Sequence, residues 1–402
     1  MSWKRSGSAV VCVFAVLAAL AAPAALALTA SGCSLLAGLG EHELRPGGGG
    51  AGGTDAATGA GGDVGTGTGP ANGEPVVLAE QGDMLPHALL LDGDKDSDGA
   101  FETVYWVTER AGSRAVWSMP TAGGAEPTKL VPLPDPFGRS PSKVEIGIAV
   151  DIDRLYWTQA IGEGNCNTGD STYGKDKVLS IPKAGGTATD IEVVWEDCPN
   201  RAPSSIAVDG KYVFFSLTRD HRIPRVRKAF GDVVVLAEHE YDPYDIATDQ
   251  THVYWIARSG NSGGEAWIRA SSKEGLTKIE LFTTNGEVDR LPNALAVDDA
   301  HVYWADNGMV RRVDKMGVDG KIRDLVNGSG AISAIALDDS HVYWTNATAG
   351  LVLRAPKEGD NIKPEVLATD QSDPEAIAVD SVSIYWTNLV RGDLVKLRKP
   401  AP

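Results

Sequence analysis

The chain has 402 residues, 43% of them apolar, with 37 Lys and Arg against 54 Asp and Glu. The resulting charge of −17, with no sustained basic run to offset it, argues against a nucleic-acid partner and fits an extracytoplasmic protein. Four cysteines without CxxC spacing argue against zinc-ribbon or thioredoxin-type chemistry.

In chain order, Lys4 and Arg5 precede an apolar run from Ala9 to Ala30, which reads as a secretory signal. No second run is long enough to span a bilayer. The first run closes on Ala30-Ser31-Gly32-Cys33, which resembles the bacterial lipobox, with Ala30 standing where leucine is commoner. That resemblance implies a signal peptide over 1–32 and a lipidated N-terminus of the mature chain over 33–45, beginning on Cys33. By the same resemblance, Ser34 permits transfer to the outer membrane, so the expected location is the bacterial cell envelope, with the membrane contacted through the lipid alone. An ordinary signal peptide with a chance cysteine, or an uncleaved anchor, is the alternative. Residues 46–74 are nearly all Gly, Ala, Thr and Asp, too poor in apolar surface to offset their ordering entropy. They are expected to form a flexible tether spanning roughly 30 Å.

From residue 75 to 402 the chain repeats itself. Ile335-Ala-Leu-Asp-Asp-Ser-His-Val-Tyr-Trp344 recurs in versions ending at Trp157, Trp255, Trp304 and Trp386, with looser copies near Trp106 and Phe215. The aspartate that follows each apolar tripeptide falls at Asp92, Asp151, Asp209, Asp249, Asp298, Asp338 and Asp380, separated by 59, 58, 40, 49, 40 and 42 residues. A base period near 40 with insertions suits four-stranded propeller blades. Within each repeat a short apolar strand (a), an Asp-x-x-His turn and a β-rich Val-Tyr-Trp strand (b) are followed by two further strands (c and d). The last repeat stops after Leu394-Val-Lys-Leu397, one strand short, and Val76-Val-Leu-Ala79 before the first repeat matches the missing one. The expected fold is all-β, a seven-bladed propeller closed by its N-terminal strand, with six blades as the alternative.

These repeats resemble the YWTD-type propeller repeats of low-density-lipoprotein-receptor relatives and the similar repeat lipoproteins of environmental bacteria. Ala296-Val-Asp-Asp-Ala-His-Val-Tyr-Trp-Ala-Asp306 is the nearest copy, while YWTN replaces YWTD at Tyr343–Asn346 and Tyr385–Asn388. The receptor propellers have six blades. The resemblance implies the fold and, by analogy, a binding role, without naming a partner.

In such a blade the d-to-a and b-to-c connections emerge on one face of the disc, called here the upper face. Five residues before each anchor the repeat loses its constancy: His87, Ile146, Ser204, Tyr244, Asn293, Ser333 and Glu375 stand there. Variation on a constant scaffold marks a candidate ligand rim, the alternative being plain solvent exposure. Cys166 and Cys198 fall in upper-face connections of the second repeat and are expected to form a disulfide in an oxidising compartment. The long turn carrying Asp92, Asp94, Asp96 and Asp98, with Glu102 nearby, copies the opening of a calcium loop but lacks its twelfth-position glutamate. It is read either as a structural Ca2+ site or as a solvated acidic hairpin. His252, His301 and His341 occupy one repeated slot and are read as turn residues in preference to metal ligands. The favoured function is a tethered binding module for a protein, peptide or glycan. The rival is a propeller lyase or hydrolase using His87 and Glu375, whose repeats become neighbours on ring closure. A purely architectural envelope protein, without a ligand, is the third reading.

Overall fold

The computed structural model describes the backbone of Gly32–Cys33 and residues 74–400, except 83–84, 93–100, 110–113, 134–145, 160–176, 194–202, 229–232, 260–263, 276, 285–290, 307 and 316–320. The sequence-predicted signal peptide, the tether, both Cys166 and Cys198, and Asp94, Asp96 and Asp98 lie outside the described residues.

Seven antiparallel sheets, each with four strands in meander order, make seven blades, and no helix occurs among the described residues. The inner strands (a) are Pro86–Asp92, Ile148–Val150, Pro203–Val208, Tyr244–Thr248, Pro292–Val297, Ile332–Leu337 and Pro374–Val379. Alternating Val, Ile, Tyr and Trp suit a pleated strand buried on both faces, and the second strands (b) are accordingly buried almost throughout. Trp106, Trp157, Trp255, Trp304, Trp344 and Trp386 are among the largest fully buried side chains, so the repeated Tyr-Trp pair is packing between blades.

Ring closure follows the sequence expectation. Val76–Glu80 pairs antiparallel with Asp393–Arg398, with Val76 opposite Lys396 and Glu80 opposite Asp393, and so becomes the outer strand of blade 7. Closure leaves no blade with an unpaired strand-length gap. The backbone of Gly32–Cys33 adds to the inner strand of blade 6, Gly32 opposite Leu337 and Cys33 opposite Ala336. The inner strands crowd one another: a Cβ placed on Gly147 of blade 2 would lie 2.6 Å from the Ser204 carbonyl oxygen of blade 3.

The anchor aspartates explain why the repeat is so constant. In blades 2 to 7 one carboxylate oxygen accepts the backbone N–H groups two and three residues on, at 2.6–3.0 Å, closing the a-to-b turn. The other oxygen accepts the hydroxyl of the repeat tyrosine at 2.6–3.1 Å in the five of these blades that have one. A lysine then arrives from the next blade. Lys183, Lys228, Lys273, Lys315, Lys357 and Lys399 reach Asp92, Asp151, Asp209, Asp249, Asp298 and Asp338 at 2.5–2.9 Å. Five of these ammonium groups also lie 4.9–5.6 Å over the aromatic ring of the neighbouring blade's Tyr or Phe. Burial raises the Asp249 carboxyl, but Lys315 and the turn N–H donors outweigh it and hold the group at about 2.

The threonine of Tyr-Trp-Thr has a related role. Thr345 Oγ1 accepts the Ala334 N–H of its own inner strand and donates to the Glu375 carbonyl of the next blade at 2.8 Å. Thr158 does the same between Gly147 and Ser204. The asparagine that replaces aspartate after this threonine also has a use. Asn346 Oδ1 caps the following turn at Ala349, and its Nδ2, which an aspartate would lack, donates to the Ser329 carbonyl.

One seam departs from the rule. Thr121 of blade 1 occupies the lysine slot, its N–H donating to the Glu102 carbonyl as each lysine N–H does to the matching turn carbonyl. Asp380 of blade 7, fully buried, instead accepts the Phe101 backbone N–H at 3.3 Å, and Thr121 Oγ1 donates to the Phe101 carbonyl. Among the described residues no lysine or arginine pairs with Asp380. Thr121→Lys is therefore expected to complete the ring and raise Tm by about 2–4 °C, the response to roughly 1 kcal/mol in a chain of a few hundred residues. Calorimetry checks this; an unchanged or lowered Tm contradicts the assignment of that slot.

Candidate functional site

The two faces of the disc differ. The lower face carries the a-to-b turns with their uniform Asp, Lys and Tyr. On the upper face, left-handed backbone at non-glycine residues is concentrated: Leu85, His221, His239, Asp242, Asp370 and Asp373 lie in its connections, and Asp245 at the start of an inner strand. Each costs free energy that only surrounding structure can hold, and such residues gather at binding and catalytic sites.

The positions five residues before each anchor sit near the channel, but the structure buries most of them. Ser204, Tyr244, Ser333 and Glu375 are each at most 7% exposed, whereas His87 and Asn293 are half-buried. Several join adjacent inner strands. The Tyr244 hydroxyl donates to the Pro292 carbonyl of the next blade, with the Arg258 guanidinium 4.3 Å over its ring. Asn293 Nδ2 donates to the Ile332 carbonyl of the blade after that. Ser204 Oγ hydrogen-bonds Ser216 and Thr218 within its own sheet at 2.8–2.9 Å. Variation here reflects a different local linkage at each seam.

His87 is the titratable group of this set with the clearest chemistry. Its Nε2 lies 3.9 Å from Glu109, whose other oxygen lies 3.9 Å from Arg114, itself almost fully buried. Burial, reinforced by the Arg114 charge, lowers the imidazole to about 4, so at neutral pH it is an uncharged base. Glu375, fully buried, belongs to the inner strand of blade 7, which packs against that of blade 1. Glu109 and Arg114 had no part in the sequence reading, because they lie outside the repeated positions. Their signal is only that both flank the b-to-c connection of the blade carrying His87.

Other sequence-predicted residues are placed as follows. Asp92 is committed to Lys183 like the other anchors, so a cation at the acidic turn would draw on the remaining carboxylates; of these only the exposed Glu102 is described. Among the described residues no group of three or more His, Cys, Asp or Glu side chains could hold a metal ion. His252 and His341 hydrogen-bond their turn neighbours Thr251 and Ser340 at 2.8 and 2.7 Å, and His301 faces Asp314 at 2.9 Å. Upper-face partners for the buried tryptophans were not legible: Trp106, Trp255 and Trp386 donate their indole N–H to Gln81, Glu240 and Gln371 in the d-to-a connections.

No family model and no curated protein matches the chain. Solved structures do. A virginiamycin B lyase from Staphylococcus aureus is similar over 81% of this chain and 99% of its own, at 15% identity and a TM-score of 0.55. A streptogramin B lyase gives 0.57 at 15% identity, covering 81% of this chain and 98% of that one. A nidogen/laminin complex contains a chain similar over 67% of this one and 89% of that one, at 20% identity and a TM-score of 0.44. At these identities the lyases share the β-propeller fold with this chain, and no residue role passes from them.

The His87 cluster has a measurable consequence. Between pH 6.5 and about 4 the unfolded imidazole binds a proton that the native one refuses, so this group costs stability progressively as pH falls through that window. His87→Gln is expected to flatten the pH dependence of unfolding free energy there by about 2–3 kcal/mol, measured by urea denaturation at pH 7.5 and 4.5. An unchanged difference between the two pH values would place His87 in water.

Proposed function

We propose that this protein is a propeller held at the bacterial cell envelope by a lipid on Cys33, binding a protein, peptide or glycan through its upper face. The observation that carries the binding face is the contrast between the faces: one is filled by a repeated turn-and-lysine device, the other concentrates strained backbone and unlike side chains. Exposed apolar groups on the upper connections, Tyr241 at 53% and Val390 at 67%, give such a face something to bury. The lipid anchor rests on the Ser31-Gly32-Cys33 sequence and the long polar tether behind it. Cleavage before Cys33 would remove Gly32 and with it the pairing that Gly32–Cys33 makes with blade 6. The repeat likeness to YWTD propellers supports a binding role in the same sense, by analogy.

A second reading is favoured by one observation. The neutral His87 beside Glu109 and Arg114, with Glu375 on the adjoining inner strand, supplies a base and charged groups of both signs at the channel. A lyase would use the imidazole to take a proton next to an electron-withdrawing group. Turnover abolished by His87→Ala in a fold-intact variant would favour this reading over simple binding.

The binding reading makes a paired prediction. Capture of envelope components by the full chain should fall about tenfold or more on charge insertion at the upper face, Val390→Asp combined with Tyr241→Asp. It should be retained by Ile152→Asp, an exposed apolar site on the lower face. Cys33→Ser should shift the protein from the detergent phase to the aqueous phase on Triton X-114 partition. Equal capture by the two kinds of variant, or unaltered partition, would remove the corresponding half of the proposal.

A further inference from the structure

The upper connections of blades 3 and 4 build an aromatic ledge that the repeat does not require. Tyr241 follows the outer strand of blade 3 and is 53% exposed. Its ring stacks against Trp267 of blade 4, centroids 6.4 Å apart and planes 28° apart. His221, from the b-to-c turn of blade 3, stands beside the same ring at 5.7 Å. The Arg269 guanidinium lies 4.7 Å from the Trp267 centroid and covers part of that indole.

The ledge is held rigidly. The Arg258 N–H donates to the Tyr241 carbonyl at 2.8 Å, and the Glu240 N–H donates to the His221 carbonyl at 2.9 Å. The Asp242 N–H donates to His221 Nδ1 at 3.3 Å, so Nε2 is the ring's N–H donor. His221, His239 and Asp242 all take left-handed backbone, so three strained residues converge on one exposed tyrosine. The fully buried Glu240 carboxylate between them, which accepts from Trp255, Arg269 and Lys278, fixes this loop and leaves the Tyr241 ring facing water.

Three features decide what the ledge suits. Its area is that of one or two rings, far short of the roughly 800 Å² per partner of a stable protein interface. Its arginines are already held by carboxylates: Arg222 pairs with Asp220 and Glu238 at 3.4 and 3.5 Å, and Arg269 with Glu240 and Glu280 at 2.9 and 3.1 Å. An anionic ligand would have to displace those carboxylates. Around the apolar ring stand His221, 44% exposed, and Asp242, 46% exposed, a donor and an acceptor within one side-chain length. An apolar plate edged by a donor and an acceptor matches a sugar ring, whose C–H face is apolar and whose rim is hydroxyl.

We propose that Tyr241 and Trp267, with His221 and Asp242, form a subsite for a neutral pyranose of an oligosaccharide. The inference rests on the upper-face binding reading and narrows its ligand class to carbohydrate. The sugar's C–H face lies on the Tyr241 ring, whose π-cloud is electronegative toward polarised C–H groups. Asp242 accepts from one hydroxyl, and His221 Nε2 donates to another.

The test titrates the full chain with cellohexaose and with chitohexaose, followed by calorimetry and tryptophan fluorescence. At least one probe should bind, with the association constant reduced about tenfold or more in Tyr241→Ala and kept within about threefold in Tyr241→Phe. The probe should perturb the emission of the wild type, and Trp267→Phe should remove that response, because the repeat tryptophans are buried. Binding should be indifferent to Ile152→Asp on the lower face of blade 2. Absence of heat with both probes at millimolar concentration, or binding that survives Tyr241→Ala, overturns the sugar subsite. If envelope capture persists in Tyr241→Ala while neither sugar binds, the broader binding reading stands without this ligand class.

Discussion

At six of the seven seams a blade places a carboxylate where the next blade delivers a lysine, and most of the remaining architecture depends on that contact. A carboxylate buried at the end of an inner strand costs several kcal/mol unless it is paired and fully hydrogen-bonded. Here the turn satisfies one oxygen, and the tyrosine hydroxyl and lysine satisfy the other. Because the lysine comes from the adjoining blade, the pair sets the spacing and rotation between sheets that apolar packing alone would leave loose. Burial of the repeat tryptophans then supplies the bulk of the attraction between blades. The exception at Asp380 falls where the ends of the chain meet: there the ring is held by strand pairing and by Lys396, which donates to the Thr121 carbonyl at 3.0 Å.

Blade number, strand order and closure were legible because they rest on local patterns that repeat. The Asp-x-x-His turn and the Val-Tyr-Trp strand can be recognised within ten residues, and Val76–Ala79 matched the missing strand by composition. The Asp–Lys contact was not recognised, although its lysine recurs after the third strand, because the partners are 59 to 91 residues apart. Such a lysine reads locally as a soluble turn residue. The candidate rim was misjudged in accessibility for a related reason: Tyr244 and Ser204 vary between blades as exposed residues do, yet a closed ring of inner strands hides them. Tyr241 and Trp267 lie off the repeat register, so only the fold brings them together.

The division of labour between the faces follows from the same constraint. Residues bound into the lower ring cannot change without loosening a seam, so the lower face is uniform. The upper connections carry no such duty and tolerate insertions, left-handed residues and exposed rings. His87 with Glu109 and Arg114, and the aromatic ledge of blades 3 and 4, are two different uses of that latitude on one disc. One is a partly desolvated polar cluster at the channel; the other is an open apolar plate near the outer edge.

The central claim is that the interblade pair, and not the turn alone, makes the anchor aspartate indispensable. A double-mutant cycle on Lys315 and Asp249 measures it most directly, using Lys315→Met, Asp249→Asn and the double variant in urea unfolding. The account predicts a favourable coupling of about 1–3 kcal/mol, the losses in the two single variants together exceeding the loss in the double variant by that amount. Additivity within about 0.5 kcal/mol would contradict it and return the aspartate to a purely local role in its turn.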